Sequence, residues 1–166
     1  MKIQLLGLAL LLPCMLKAQD CLSQKDPITG KLVKTGTVII NGDSTQSPVQ
    51  FVIFNSEEDL SIGVSWISAL AVSNFDESSM KLSIKFENGV VKDFSANSST
   101  KVRALGSSAV VAFRAAITKE DLDYLHANPI SELTLKYKGD SGPGSSFPVS
   151  GLHAAKIRNS IICFGN

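Results

Sequence analysis

Reactive side chains are scarce in this chain: its 166 residues include two histidines and three cysteines. A zinc site takes about four ligands, and a nucleophile relay needs a base with a carboxylate to orient it. Few routes to either remain. An excess of one charge is lacking too, since 16 basic residues stand against 15 acidic ones. Nucleic-acid binders usually carry a strong basic excess on one face, so that class is excluded. Long apolar runs are absent beyond the first residues. No assembled catalytic set is visible, and neither cofactor nor metal is expected.

What is present begins with a leader. Met1-Lys2 is a short positive start, Ile3 to Leu12 is apolar apart from Gln4, and Pro13 and Leu16-Lys17-Ala18 follow. That three-part layout is a secretory signal peptide over 1–18, with the mature chain starting at Gln19. An apolar run of about ten residues is half of the ~20 a bilayer requires, so no transmembrane segment is expected. Lipid attachment at Cys14 is the alternative, although Pro13 is a poor neighbour for it. Cleavage leaves residues 19–166 as one domain of 148 residues, with 14 basic against 15 acidic side chains and a net charge of −1. It also leaves Cys21 and Cys163 near the two ends. In an exported protein such a pair reads as a disulfide. A loop of that length contributes about 4–5 kcal/mol in the chain-entropy model. Two free buried thiols are the competing reading.

Strand signals recur along the mature chain. Residues 20–36 are polar and turn-rich, with Asp26-Pro27 and Thr29-Gly30 as breakers. Thr37 to Ile40 is β-branched and ends at Asn41-Gly42, and Val49 to Phe54 is a compact apolar run. Ser61 to Ser68 alternates, with Ile62, Val64 and Trp66 on one face. Met80, Leu82, Ile84 and Phe86 alternate with Lys81, Ser83 and Lys85, and Asn88-Gly89 then predicts a hairpin returning through Val90 to Phe94. A two-residue loop would set Asp93 beside Ile84, and a bulged turn would shift that register. Ala109 to Ile117 is a further β-leaning run. Thr118 and Asp121 predict a capped helix with Leu122 and Leu125 inward, stopped by Asn128-Pro129. Leu133, Leu135 and Tyr137 mark another strand, 139–146 reads as a flexible loop, and Leu152 to Ile162 has helical spacing, with a closing strand over 160–164 as the alternative.

The count is about seven strands and one or two short helices. One-sided alternation argues for antiparallel sheets. The expected fold is mainly β, an antiparallel sandwich with helical decorations; a single curved sheet packed on the helices is the alternative. Trp66, Phe51, Phe54, Phe86 and Phe113 sit in apolar strand patterns and read as core.

Four residues are candidates for surface chemistry. Gly139-Asp140-Ser141-Gly142-Pro143 resembles the nucleophile segment of trypsin-like serine proteases. That chemistry needs a distant histidine and two barrels, and Pro143 stands where the family has glycine, so Asp140 and Ser141 read as parts of a turn-rich loop. His126 and His153 fall near helix ends, where a capping or surface role is the ordinary one. Glu57-Glu58-Asp59 reads as a solvated turn rather than a calcium site, which needs six or more converging oxygens. Lys81, Lys85 and Lys92 suggest a modest basic strip on one hairpin face.

Cys21 followed by Asp26-Pro27-Ile28-Thr29-Gly30-Lys31 resembles the start of small exported proteins of the Bacteroidetes, in which a cysteine precedes an Asp-x-x-Thr-Gly-Lys stretch and β-rich sequence. The resemblance implies a periplasmic or surface location and carries over no catalytic residue. In that setting Asp43-Ser44-Thr45 is similar to a short O-glycosylation site. The sequence as a whole points to an exported, non-catalytic binding or accessory module with a protein or glycan partner. A small hydrolase using His126 or His153, and an enzyme inhibitor presenting loop 139–148, are the alternatives.

Overall fold

Apolar residues recur at every second position through much of the chain, and strands form where they do. The computed structural model describes residues 21–25, 32–40, 48–56, 59–70, 75–137 and 144–164. Among the described residues are ten strands: β1 (Cys21–Lys25), β2 (Leu32–Ile40), β3 (Val49–Asn55), β4 (Leu60–Ser68), β5 (Lys81–Phe86), β6 (Val91–Ser95), β7 (Lys101–Leu105), β8 (Ser108–Ala116), β9 (Ile130–Lys136) and β10 (Gly144–Pro148). Two helices, α1 (Lys119–Ala127) and α2 (Gly151–Ile161), join them. The strands make a six-stranded sheet in the order β1-β2-β3-β4-β8-β7 and a four-stranded sheet in the order β10-β9-β5-β6. All neighbours in both are antiparallel. The fold is the expected mainly β, sandwich-like arrangement, with ten described strands where about seven were expected.

Each sheet turns one face inward. Phe51, Ile53, Ile62, Ile84, Leu133 and Leu135 are wholly inaccessible to solvent, and burying a side chain of this size contributes about 1.5–3 kcal/mol. Trp66 of β4 meets Phe147 of β10 edge-on, with ring centroids 5.5 Å apart. Helix α2 adds Ala154, Ile157 and Ile161 to the same core and lies on β2. Its N-terminus is capped by Ser150, whose hydroxyl accepts from the His153 amide. Helix α1 carries the predicted capping box between Thr118 and Asp121 and buries Leu122 and Leu125. No described helix is long and apolar enough to cross a membrane.

Several expectations need correction. Residues 21–25 and 32–36, read as turn-rich, are strand. Residues 144–148, read as loop and as part of a protruding bait, form β10 on β9. Residues 160–164 continue helically, so no closing strand forms there. The expected leader with Cys14, the expected Asn41-Gly42 turn, Asp43-Ser44-Thr45, Glu57-Glu58, and Asp140 with Ser141 lie outside the described residues, as do the side chains of Cys21 and Cys163.

The β5–β6 hairpin settles its register through a three-residue turn. Gly89 donates to the Phe86 carbonyl and takes φ +83°, and Phe86 donates to the Val90 carbonyl. A residue with positive φ at the third loop position is the bulged alternative to a two-residue turn. Asp93 therefore pairs with Ser83, and Lys92 with Ile84. A one-residue slip exchanges the two faces of a strand. Phe94 enters the core, and Lys92 leaves the basic strip expected with Lys81 and Lys85. Its Nζ instead sits 2.7 Å from Asp121 and over the Tyr124 ring.

Candidate functional site

The outer face of the six-stranded sheet carries the site. Strand pairing sets Thr37 beside Val52, Val52 beside Gly63, and Gly63 beside Arg114, one row across four strands. The next row towards one end holds Gln50, Ser65 and Ala112. The row on the other side holds Thr35, Phe54 and Ser61. All of these residues except Ser61, with Ser99 from the β6–β7 connection, line a groove of about 390 Å³. Its floor is made of small or β-branched residues because every second position of a strand reaches the same face. Backbone donors and acceptors across it are engaged in the sheet, so recognition there falls to side chains.

Phe54 was expected in the core. It is half-buried on the outer face instead, because β3 alternates from Phe51 and Ile53 inward to Val52 and Phe54 outward. Its ring reaches across β4 and rests against Gly63, where a Cβ would lie 3.1 Å from Phe54 Cε2. The Arg114 guanidinium then stacks over the ring, 4.2 Å from its centroid. Such a contact contributes about 0.5–2 kcal/mol, depending on how dry it is.

Arg114 is held on several other sides. Its Nη2 donates to Asp59 at 2.6 Å and its Nε donates to Ser61 Oγ at 2.8 Å. Ser61 is fully buried and points its own hydroxyl at the same carboxylate. The last acid of the run read as a solvated turn is thus a partner of Arg114. Backbone support comes from Thr100, which is almost wholly buried. Its hydroxyl donates to the Arg114 carbonyl and accepts from the Arg114 amide, both at 3.0 Å. Strand β7 begins only at Lys101, so this hydroxyl continues the ladder one residue past the end of the strand. On the groove floor, Ser65 Oγ donates to Gln50 Oε1 at 3.2 Å, which leaves the amide nitrogen of Gln50 to face outward partners.

The structure distributes the sequence candidates differently. His126 is exposed in the last turn of α1, and its carbonyl accepts from Arg158 Nε at 3.0 Å. His153 Nδ1 lies 2.9 Å from Ser150 Oγ at the start of α2. That serine is engaged as the helix cap, and no described hydrogen bond joins the two histidines. Neither lines the groove. Lys92, Asp121 and Tyr124 gather instead where α1 docks on the hairpin. Partial burial pushes the Asp121 carboxyl up, but hydrogen bonds from Lys92 and Thr118 outweigh it and hold the group below its ordinary 3.8. Among the described residues no group of three or more His, Cys, Asp or Glu is placed to hold a metal ion.

The sequence pattern passed over Arg114 and put Phe54 in the core, though both left a signal. Arg114 is the one charged residue in the apolar run Ala109 to Ile117, and Phe54 falls on the polar phase of β3. Their meeting depends on sheet order, which neither segment encodes. Scans against protein families and searches of curated proteins and solved structures find no match for this chain.

Proposed function

We propose that this chain is an exported, non-catalytic binding module that takes its ligand along the outer face of the six-stranded sheet. The observation that carries the reading is the groove with Arg114 already fixed by Asp59, Ser61 and Phe54. Preorganised side chains lose less freedom when a ligand arrives. A guanidinium held by packing and hydrogen bonds has the character of a recognition element. Export to the periplasm or cell surface is the compartment the leader supports.

A Cys21–Cys163 bridge belongs to the same proposal. Cys21 pairs with Gly36 in the β1–β2 register. A Cβ at Gly36 would come within 3.3 Å of Phe164, the residue after Cys163. Thiol titration of the unfolded, unreduced protein tests it: no free thiol from this pair supports the bridge, and two free thiols remove it.

The binding reading is tested with Thr37→Trp, which fills the groove from an outward position and leaves the core untouched. The exported protein and this variant are applied to a glycan array and to periplasmic extract. Binding that disappears in the filled variant supports the groove as the site. Binding that persists unchanged overturns it.

A further inference from the structure

We infer that the ligand of this groove is an acidic saccharide and that Arg114 anchors one of its carboxylates; the inference rests on the groove being the binding site. Arg114 has five N–H donors. Two are engaged, by Ser61 and Asp59, and no further partner exists for the guanidinium among the described residues. The free donors include the outer Nη1–Nη2 fork, whose two roughly parallel N–H groups match the two oxygens of a carboxylate. The Phe54 ring supports the guanidinium from one side, 4.2 Å from the ring centroid to Cζ.

The neighbouring charge selects among anions. Asp59 already offsets part of the cation at 2.6 Å. A dianionic phosphate would meet that carboxylate at close range, whereas a singly charged carboxylate suits one partly compensated guanidinium. Positive charge continues along the same face at Arg103, which pairs with Val110, whereas Lys101, paired with Ala112, is partly offset by Glu77 at 3.7 Å. A ligand carrying several carboxylates therefore finds a further cation beyond the groove.

The remaining lining favours a polyhydroxylated body. Thr35, Thr37, Ser65 and Ser99 each offer a hydroxyl, and Gln50 adds an amide. Hydroxyls donate and accept alike, which matches sugar hydroxyls at neighbouring positions. A peptide that binds by adding a strand would need a sheet edge to pair with, and the groove lies over interior strands β2, β3, β4 and β8. Uronic acid units are rings of this kind, bearing hydroxyls and one carboxylate each.

The test titrates the mature protein with hexamers of galacturonate, of mannuronate, and of alternating glucuronate and N-acetylglucosamine, followed by calorimetry and backbone amide shifts. The fully methyl-esterified form of each hexamer and a hexaglutamate peptide serve as comparisons. One acidic hexamer is expected to bind and to shift the amides of Gly63, Ser65 and Ala112. Its ester and the peptide are expected to bind roughly ten- to hundredfold more weakly, the scale of losing a charge-assisted hydrogen-bonded pair. Arg114→Gln should reduce the acid to the level of the ester. Thr37→Val, which leaves the ion pair intact, should weaken acid and ester by the same factor. Equal binding of acid and ester in the groove overturns the carboxylate anchor and leaves the groove reading standing. Equal binding of the peptide overturns the saccharide. Shifts confined to residues outside the groove, or no binding by any hexamer, overturn this inference and count against the groove as well.

Discussion

The ring of Phe54 rests on Gly63, one strand away, at a distance that leaves only a tight fit for a Cβ between them. A Cβ at position 63 would lie 3.1 Å from Phe54 Cε2 and 3.2 Å from the Phe113 carbonyl oxygen. The ring can turn aside, but the carbonyl belongs to β8 and cannot. Gly63→Ala is therefore expected to lower stability by about 1–3 kcal/mol, the range of overpacked sites. It should also loosen Arg114, which loses its aromatic backing. Urea denaturation measures the first effect and the line width of the Arg114 side-chain signals the second. A change within about 0.5 kcal/mol, as at ordinary surface sites, would mean that β8 yields enough to admit the methyl group.

Local pattern and caps carried much of the architecture. Alternation in β4 and β5, the capping box at Thr118 and Asp121, and the helical spacing of Ala154, Ile157 and Ile161 were all legible because each is a short-range signal. The missed strands are edges. Strand β7 has no fully buried side chain, and β10 reads Gly-Ser-Ser-Phe-Pro with only Phe147 deeply buried. Their conformation comes from pairing with β8 and β9, which overrides weak propensity. The hairpin at Gly89 shows a finer limit: one residue of turn length decides whether Lys92 or Asp93 faces outward. The groove was the least legible feature. Thr37, Phe54, Gly63 and Arg114 come from four strands and meet only through the sheet order.

Thr100 lends its side chain to a strand ladder, and its removal should be felt at Arg114. Thr100→Val keeps the shape and deletes the hydroxyl, leaving the Arg114 amide without its partner. The Arg114 carbonyl retains the Asn97 amide at 2.8 Å. An orphaned buried donor costs about 1–3 kcal/mol, so the loss should fall in that range, with Thr100→Ser restoring most of it. Faster hydrogen exchange at Arg114 in the valine variant, and not in the serine variant, separates this cause from a general loosening. Equal exchange in both would assign the loss to packing.

Glu77 closes part of an exposed sheet edge. Its carboxylate accepts the Val102 amide at 2.7 Å, on the side of β7 that no described strand covers, and the Lys101 ammonium lies 3.7 Å away. Edge strands with free amides invite pairing between copies. Glu77→Ala is expected to make the protein associate with rising concentration in sedimentation velocity. Glu77→Gln keeps an acceptor and should stay at the wild-type size. The stability cost of the alanine change should be small, about 0.5–1.5 kcal/mol for one hydrogen bond. An unchanged sedimentation profile at high concentration would show that the edge is guarded by something other than this carboxylate.

Asp121 links two elements at once, as the capping-box partner of Thr118 in α1 and as the partner of Lys92 on β6. Its carboxyl titrates below the ordinary 3.8 because hydrogen bonds from Lys92 and Thr118 outweigh partial burial. A depressed folded value means that the ionised group contributes stability above the unfolded carboxylate value, about 3.9. That contribution is lost as pH falls through the folded value. Asp121→Asn keeps an oxygen to accept from Thr118 and removes the charge. The variant is expected to be about 1 kcal/mol less stable than wild type at pH 7, on the scale of a cap and a partly exposed ion pair. The gap should narrow below pH ~4 and close once the wild-type carboxyl is protonated, because the acid and the amide then offer Lys92 the same absence of charge. Urea denaturation at pH 7, 5 and 3 measures it. A gap that stays constant across that range would place the whole effect in cap geometry and none in the ion pair.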